Sequence, residues 1–345
     1  MPTQFEDQGY LVIPDFISPT VAAELKAHAL HLVATTDADQ PPTRFRPNGD
    51  QSSEYFLNSG DQVRLFFEDG AFDQDGRLTV DRAHAINKIG HALHVHDRAF
   101  RAVTLHPTVV RIAQGLGLQH PAVLQSMVIC KPPRIGGEGT GRLSTISAAA
   151  PDPCVGRELT AIRYGQPAIR TWHLSLTLAL SFSHPHIAGV ATTEYAVPPH
   201  QDSTFLFTRP LSAIGFWIAL ENCHETNGCL QFVPGSHKDH PITQRLVRTA
   251  DHHGTEMVSI EPVYGPGSQA PSGAMSSTSS DTFVSGEVAA GTLVLIHGSV
   301  LHRSSPNRSM ASRFIYTFHA IELMAAYPAD NWLQPTVDVP FTRLY

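Results

Sequence analysis

The chain has 345 residues, 42% of them hydrophobic, and a formal net charge of −7, the composition of an ordinary globule long enough to bury one large core or two modest ones. Its lysines and arginines form no cluster, so neither nucleic acid nor an anionic membrane surface is expected as a main partner. Four cysteines without a CxxC pair read as reduced thiols, not as a disulfide or zinc framework.

The start, Met-Pro-Thr-Gln-Phe-Glu-Asp, lacks a basic n-region and an apolar h-region. The closing Thr-Arg-Leu-Tyr is not a peroxisomal Ser-Lys-Leu address. No apolar run is long enough to span a bilayer, and cytoplasmic residence is the expectation.

In chain order, residues 5–16 read as a short strand entered from a glycine turn. Ser18 and Pro19 supply an N-cap and a first-turn proline for a helix over 21–33. Residues 37–60 are polar and read as loop, 63–67 as a strand, and 73–76 as a tight turn. From 83 to 118 the periodicity is helical, broken near His106-Pro107, with Gly115 and Gly117 at its end. His91, His94 and His96 on that stretch read as ordinary helix residues. Residues 121–131 read as a buried strand. Residues 136–195 are rich in Ser, Thr, Ala, Gly and Pro, and their one apolar run, 174–182, stands isolated. Strand signals resume at 204–207, 214–220, 229–233, 291–296 and 313–322, with a loop over 263–286. Short strands after a helical N-terminal third predict a mainly β jelly roll carrying helices on one face.

Two stretches carry the chemistry: Val197-Pro-Pro-His-Gln-Asp202 and Leu293-Val-Leu-Ile-His-Gly-Ser-Val-Leu-His302. His200, Asp202 and a distal histidine would make a 2-His-1-carboxylate set, which takes one face of an octahedral Fe(II) and leaves the other open. With 20 histidines in the chain, a His-x-Asp match alone is weak, and His237-Lys-Asp239 also fits. The latter follows Pro-Gly-Ser and opens an exposed polar stretch with no apolar strand behind it, whereas His200 and Asp202 precede the apolar Phe205-Leu-Phe207, which can hold both side chains inward. The distal histidine is His297 or His302. Each has an arginine eleven residues on. Arg308 falls in a turn, while Arg313 opens the alternating strand with Arg313, Ile315, Thr317 and His319 on one face. A guanidinium there can grip a buried carboxylate, which favours the pairing of His302 with Arg313.

The segments Ile86-Asn-Lys-Ile-Gly-His-Ala-Leu, Gln125-Ser-Met, His200-Gln-Asp-Ser-Thr-Phe-Leu, Gly228-Cys-Leu-Gln-Phe-Val-Pro-Gly-Ser-His, Tyr316-Thr-Phe-His and Asn331-Trp-Leu-Gln-Pro-Thr resemble the phytanoyl-CoA dioxygenase family. The resemblance covers nearly all of the chain outside 139–196. It implies a double-stranded β-helix of the cupin-like kind, with Fe(II) on His200, Asp202 and His302 and 2-oxoglutarate and O2 as co-substrates. It implies that Arg313 and Ser304 hold the far carboxylate of 2-oxoglutarate, with Lys88, Met127 and Trp217 lining that pocket. Plain core packing is the ordinary alternative for Met127 and Trp217. The carboxylate at Asp202, where related halogenases carry a small residue, favours hydroxylation of a small-molecule or acyl-type substrate.

The departure is 139–196. In the family, Gly-Gly-Glu runs almost directly into the His-x-Asp motif, whereas here about sixty residues intervene between Glu138 and Val197, long for a structureless loop in a compact domain. Two readings are a lid on a single domain and a retained intron, since joining Glu138 to Val197 restores Gly-Gly-Glu-Val-Pro-Pro-His-Gln-Asp. Two further functional classes stay open: a cupin-like metal isomerase or hydrolase, which would not need Arg313 and Ser304, and a 2-oxoglutarate-binding but inactive variant.

Overall fold

The computed structural model describes residues 2–36, 42–45, 54–133, 197–265 and 282–345. The segment 139–196, with its lid and intron readings, lies outside them. In chain order the helices are α1 Pro2–Gln8, α2 Pro19–Thr35, α3 Glu54–Leu57, α4 Arg82–Ala85, α5 Leu93–His96, α6 Arg98–Thr104 and α7 Pro107–Gly115. The strands are β1 Tyr10–Ile13, β2 Thr43–Phe45, β3 Val63–Glu68, β4 Ile86–His91, β5 Pro121–Lys131, β6 Val197–His200, β7 Ile214–Ala219, β8 Leu230–Phe232, β9 Ile242–Arg248, β10 Thr255–Val263, β11 Val284–Gly286, β12 Leu293–His297, β13 His302–Ser304, β14 Arg313–Glu322 and β15 Thr342–Arg343.

Nine strands make the large sheet, in the order β1-β12-β7-β14-β5-β4-β3-β2 with β15 added beside β5. A four-stranded sheet, β11-β8-β13-β6, and the hairpin β9-β10 complete the set. The two-residue period of a strand sorts side chains between the faces of the large sheet. Along β14, Phe314, Tyr316 and Phe318 pack with Phe216 and Ile218 of β7 and Leu293 and Leu295 of β12. Ala22, Leu25, Ala29 and Val33 of α2 and Phe100 of α6 close this layer. Tyr316 Oη and Thr104 Oγ1, both buried, are 2.6 Å apart. The intervening residues Trp217, Val294, Ile296 and Ile315 face the other way and meet Leu230 and Phe232 of the small sheet. The site lies on this inner face.

Several local expectations hold. Ser18 Oγ accepts from Val21 N–H at 3.2 Å, β5 and β14 span the buried and alternating runs, and Gly76 (φ +80°) closes the turn begun at Asp73. Others are corrected. Residues 5–8 end a helix instead of opening a strand, and Gly9 (φ +78°) turns the chain into β1. The polar stretch 37–60 contains β2 and α3. Residues 86–91 form a strand between β3 and β5. Ile86 and Ile89, three apart, look helical, but a strand covered on both faces has no obligatory alternation. The hairpin β9-β10 was not foreseen because most of its side chains are partly or fully exposed. Residues 204–207 belong to a tight 3-10 turn and its exit, with Asp202 C=O accepting from Phe205 N–H at 2.9 Å and Leu206 N–H at 3.0 Å.

Candidate metal centre

Local backbone features place the three candidate ligands. Strand β6, Val-Pro-Pro-His, tolerates two prolines because it is the edge of the small sheet. Its neighbour β13 runs antiparallel with His302 directly opposite His200, so the rings face each other at 4.2 Å between centroids. The 3-10 turn that follows β6 swings Asp202 back toward both. Asp202 Oδ1 lies 3.6 Å from His200 Nε2 and 3.7 Å from His302 Nε2, and one ligand atom from each residue falls within 4.8 Å of the others.

Each histidine is set by the same local device. His200 Nδ1 lies 2.9 Å from the Pro198 carbonyl and His302 Nδ1 3.0 Å from the Val300 carbonyl. A carbonyl can only accept, so Nδ1 carries the proton and Nε2 turns its lone pair into the site, as a metal ligand must. Burial opposes the charge on Asp202, but the neighbouring His302 and His319, with His200 beside them, outweigh it and keep the carboxyl well below its usual range. Burial, helped by His200, pushes His302 down to about 4, so it is neutral. Burial also disfavours charge on His200, yet Asp202 more than offsets this and raises it. An anionic carboxylate with two imidazoles suits a divalent first-row metal.

The competing histidines lie elsewhere. His237 itself is buried, with Nε2 2.9 Å from the Glu6 carbonyl, while Lys238 and Asp239 after it are exposed. His297 packs on it at 4.8 Å between centroids.

A cavity of about 270 Å³ opens over the three ligands. Arg313, Ser304, Lys88, Met127 and Trp217 all line it. Arg313 is 2% exposed. Among the described residues its guanidinium meets no carboxylate, its Nε has no hydrogen-bond partner, and its Cζ lies 5.9 Å from the centre of the Trp217 ring. Lys88, whose Nζ sits 4.0 Å over the Phe45 ring, is pushed by burial down to about 8.

Sequence reasoning missed Lys131 and Glu68, which line the same end. Lys131 stands opposite Arg313 across the β5-β14 pair, and its Nζ donates to the carbonyls of Ser304 (3.3 Å) and Ser305. Burial and the neighbouring Arg313 lower its pKa well below the usual lysine value. Burial raises Glu68 to about 7, against an opposing hydrogen bond from Asn87. Its Oε2 is buried and has no hydrogen-bond partner among the described residues. Arg313 and Lys131 thus bring two basic side chains from facing strands to the cavity lining. Lys131 ends an apolar run and Glu68 follows Phe66-Phe67, so nothing local separates either from a strand-end residue at the surface. His91 also lines the cavity, buried on β4, with Nδ1 2.7 Å from Ser59 Oγ; it is not a helix residue. The opposite wall is apolar, with Phe45, Phe56, Phe205, Leu206, Leu246 and Trp332.

The family model described as phytanoyl-CoA dioxygenase matches residues 5–145 and 146–315. Phytanoyl-CoA dioxygenase domain-containing protein 1 of Danio rerio is 35% identical over 353 aligned positions, covering 99% of this chain and 96% of that protein. Phytanoyl-CoA dioxygenase of Arabidopsis thaliana is 30% identical, covering 96% and 91%. Among solved structures, the epimerase SnoN in complex with Fe3+, alpha ketoglutarate and nogalamycin RO superposes with a TM-score of 0.54 at 15% identity, over 100% of this chain and 97% of that one. EctD from S. alaskensis in its apoform gives 0.50 at 13% identity, over 98% and 82%. These two likenesses show a shared fold, the cupin-like jelly roll. Family-model coverage and identity along almost the whole length agree, and the chain belongs to the phytanoyl-CoA dioxygenase family.

Proposed function

We propose that the chain is an Fe(II)- and 2-oxoglutarate-dependent oxygenase that hydroxylates a small-molecule or acyl-type substrate. The observation that carries this reading is the position of a buried guanidinium that meets no carboxylate among the described residues, Arg313, in the same cavity as His200, Asp202 and His302. A metal isomerase or hydrolase that works without 2-oxoglutarate has no need for a dicarboxylate anchor, whereas a dicarboxylate co-substrate gives this guanidinium its partner.

In this reading His200, Asp202 and His302 hold the metal through Nε2, Oδ1 and Nε2. Arg313 and Ser304 bind the far carboxylate of 2-oxoglutarate, and Lys131 adds a second positive group beside Ser304. Lys88, Met127 and Trp217 flank the co-substrate and keep water from its chain. Phe45, Phe205, Leu206 and Leu246 offer the substrate an apolar wall, while the buried Gln125 Oε1 and Trp332 Nε1, without partners among the described residues, can accept and donate a hydrogen bond respectively. When bound, Fe(II) with 2-oxoglutarate and O2 would supply the oxidative decarboxylation to succinate and CO2, one oxygen atom entering succinate and the other the hydroxylated C–H bond.

The test is an anaerobic titration of the full chain with Fe(II) and then 2-oxoglutarate, following the visible metal-to-ligand charge-transfer band. The band is expected in the wild type and absent from His200→Ala and Arg313→Ala. Its absence from the wild type refutes the reading. Succinate formation coupled to O2 uptake separates an active enzyme from one that binds the co-substrate without turnover. For 139–196 we retain the proposal of an insertion into one domain, as a lid or a retained intron. A transcript series with no form lacking the segment, from a gene without splice sites at its ends, rules out the intron.

A further inference from the structure

We propose that His319, oriented by Gln125, is a positioning residue that ties down one oxygen of Asp202 so that the carboxylate meets the metal through the other oxygen alone. The inference rests on the metal-oxygenase reading and adds a residue to it.

The two oxygens of Asp202 have different surroundings. Oδ1 is the one near both candidate ligands, at 3.6 Å and 3.7 Å from their Nε2 atoms. Oδ2 points away from them, toward β7 and β14, and His319 Nε2 lies 3.3 Å from it. The contact is long and off-axis, and no described residue gives Oδ2 a well-aligned donor. Hydrogen bonds in ligand-free sites are commonly loose in this way and tighten when the site fills.

The tautomer of His319 follows from its other side. Its Nδ1 lies 3.3 Å from Gln125 Nε2. With the amide N–H donating to Nδ1, the ring proton is on Nε2 and faces the carboxylate, an attractive arrangement. The opposite amide orientation would put the proton on Nδ1 and set the Nε2 lone pair against Oδ2, which is repulsive. Asp202 therefore selects the chain Gln125 Nε2–H to His319 Nδ1, and His319 Nε2–H to Asp202 Oδ2. Strand pairing holds the chain, since His319 faces Gln125 on β5 and Gly215 on β7. Gly215 leaves the room: a Cβ there would lie 3.3 Å from Asp202 Oδ2 and 3.6 Å from His319 Cδ2. Gln125 Oε1 has no partner among the described residues where Gln125 lines the cavity, so the chain runs from the substrate space to the metal's carboxylate. A carboxylate anchored through one oxygen keeps coordination positions open, whereas a freed one can swing to bind through both.

The test uses the metal-free full chain and Co(II) as probe, followed by its visible d–d absorbance without co-substrate or substrate. His319→Leu is expected to bind Co(II) about 10–100-fold more weakly and to show a weaker, shifted band, because a second carboxylate oxygen raises the coordination number. His319→Gln, whose amide N–H can replace Nε2–H, is expected to restore the wild-type band and most of the affinity. Gln125→Leu, which leaves the ring in place, is expected to shift both in the direction of His319→Leu by a smaller amount. Wild-type affinity and band in a folded His319→Leu protein overturn the proposal. If that variant does not fold, Gln125→Leu decides, and wild-type behaviour there overturns it. Failure of the underlying reading looks different: Co(II) binding to the wild type would then be indifferent to His200→Ala.

Discussion

Replacing Arg313 by methionine should separate folding from co-substrate binding, with opposite signs. Arg313 is 2% exposed, has no carboxylate partner among the described residues, and faces Lys131 across the strand pair. Burying an unpaired charge costs several kcal/mol after relaxation, and stacking over Trp217 returns only about 1 kcal/mol. Methionine has similar reach and no charge, so the co-substrate-free protein is expected to gain about 1–4 kcal/mol of folding stability, the range seen when buried ions give way to apolar residues. For 2-oxoglutarate the same change removes the partner of a buried carboxylate, which costs about 3–5 kcal/mol, or about 150–5,000-fold in Kd. Linkage makes the contrast visible in one assay. At about 100 times its Kd, 2-oxoglutarate should stabilise the metal-loaded wild type by about 2.7 kcal/mol and leave Arg313→Met almost unmoved. Thermal melts with and without 2-oxoglutarate, alongside calorimetric titration, measure both quantities. A variant that loses stability without ligand yet keeps 2-oxoglutarate affinity within about threefold of wild type would refute the assignment of this guanidinium as an anion anchor.

Glu68→Gln should flatten a pH dependence. Burial raises Glu68 from 4.5 to about 7, so its contribution to stability is full below pH 4.5 and is lost as pH rises through about 7. A rise of about 2.5 pH units at about 1.36 kcal/mol each amounts to about 3 kcal/mol. Urea denaturation should show the variant level with wild type near pH 4.5 and more stable by up to that amount at pH 8. Equal midpoints at both pH values would contradict it. Gly228→Ala should destabilise by about 2–4 kcal/mol, because φ is +82° and an added Cβ would lie 2.3 Å from the Ser305 carbonyl and 3.0 Å from Lys131 Cδ. It should also weaken 2-oxoglutarate binding, read by calorimetry. Phe216→Ala, which empties the layer between sheet and helices where Phe216 stacks on Phe318 at 4.7 Å, should cost about 3–5 kcal/mol. Chemical denaturation checks this, and a loss below about 1 kcal/mol would mean the layer collapses to fill the gap.

Much of the site was legible before any coordinates. His200, Asp202, His302 and Arg313, singled out by residue type, spacing and strand context, line one cavity. The alternation in 313–322 placed Arg313, Thr317 and His319 on one face, since strand geometry leaves little choice. Ser18 with Pro19 marked a helix start for the same local reason. What stayed hidden depended on neighbours distant in sequence. Ile86-Asn-Lys-Ile-Gly-His became a strand only because β3 and β5 flank it, and so carried His91 and Lys88 into the cavity. The role of Lys131 depends on facing Arg313. Glu68, Gln125 and the second contact of Asp202 depend on sheet register. Local sequence dictates which groups can bind a metal or turn a chain, through covalent structure and short-range hydrogen bonding. Burial, charge pairing and the orientation of a carboxylate depend on segments far apart in the chain, and tertiary packing alone decided them.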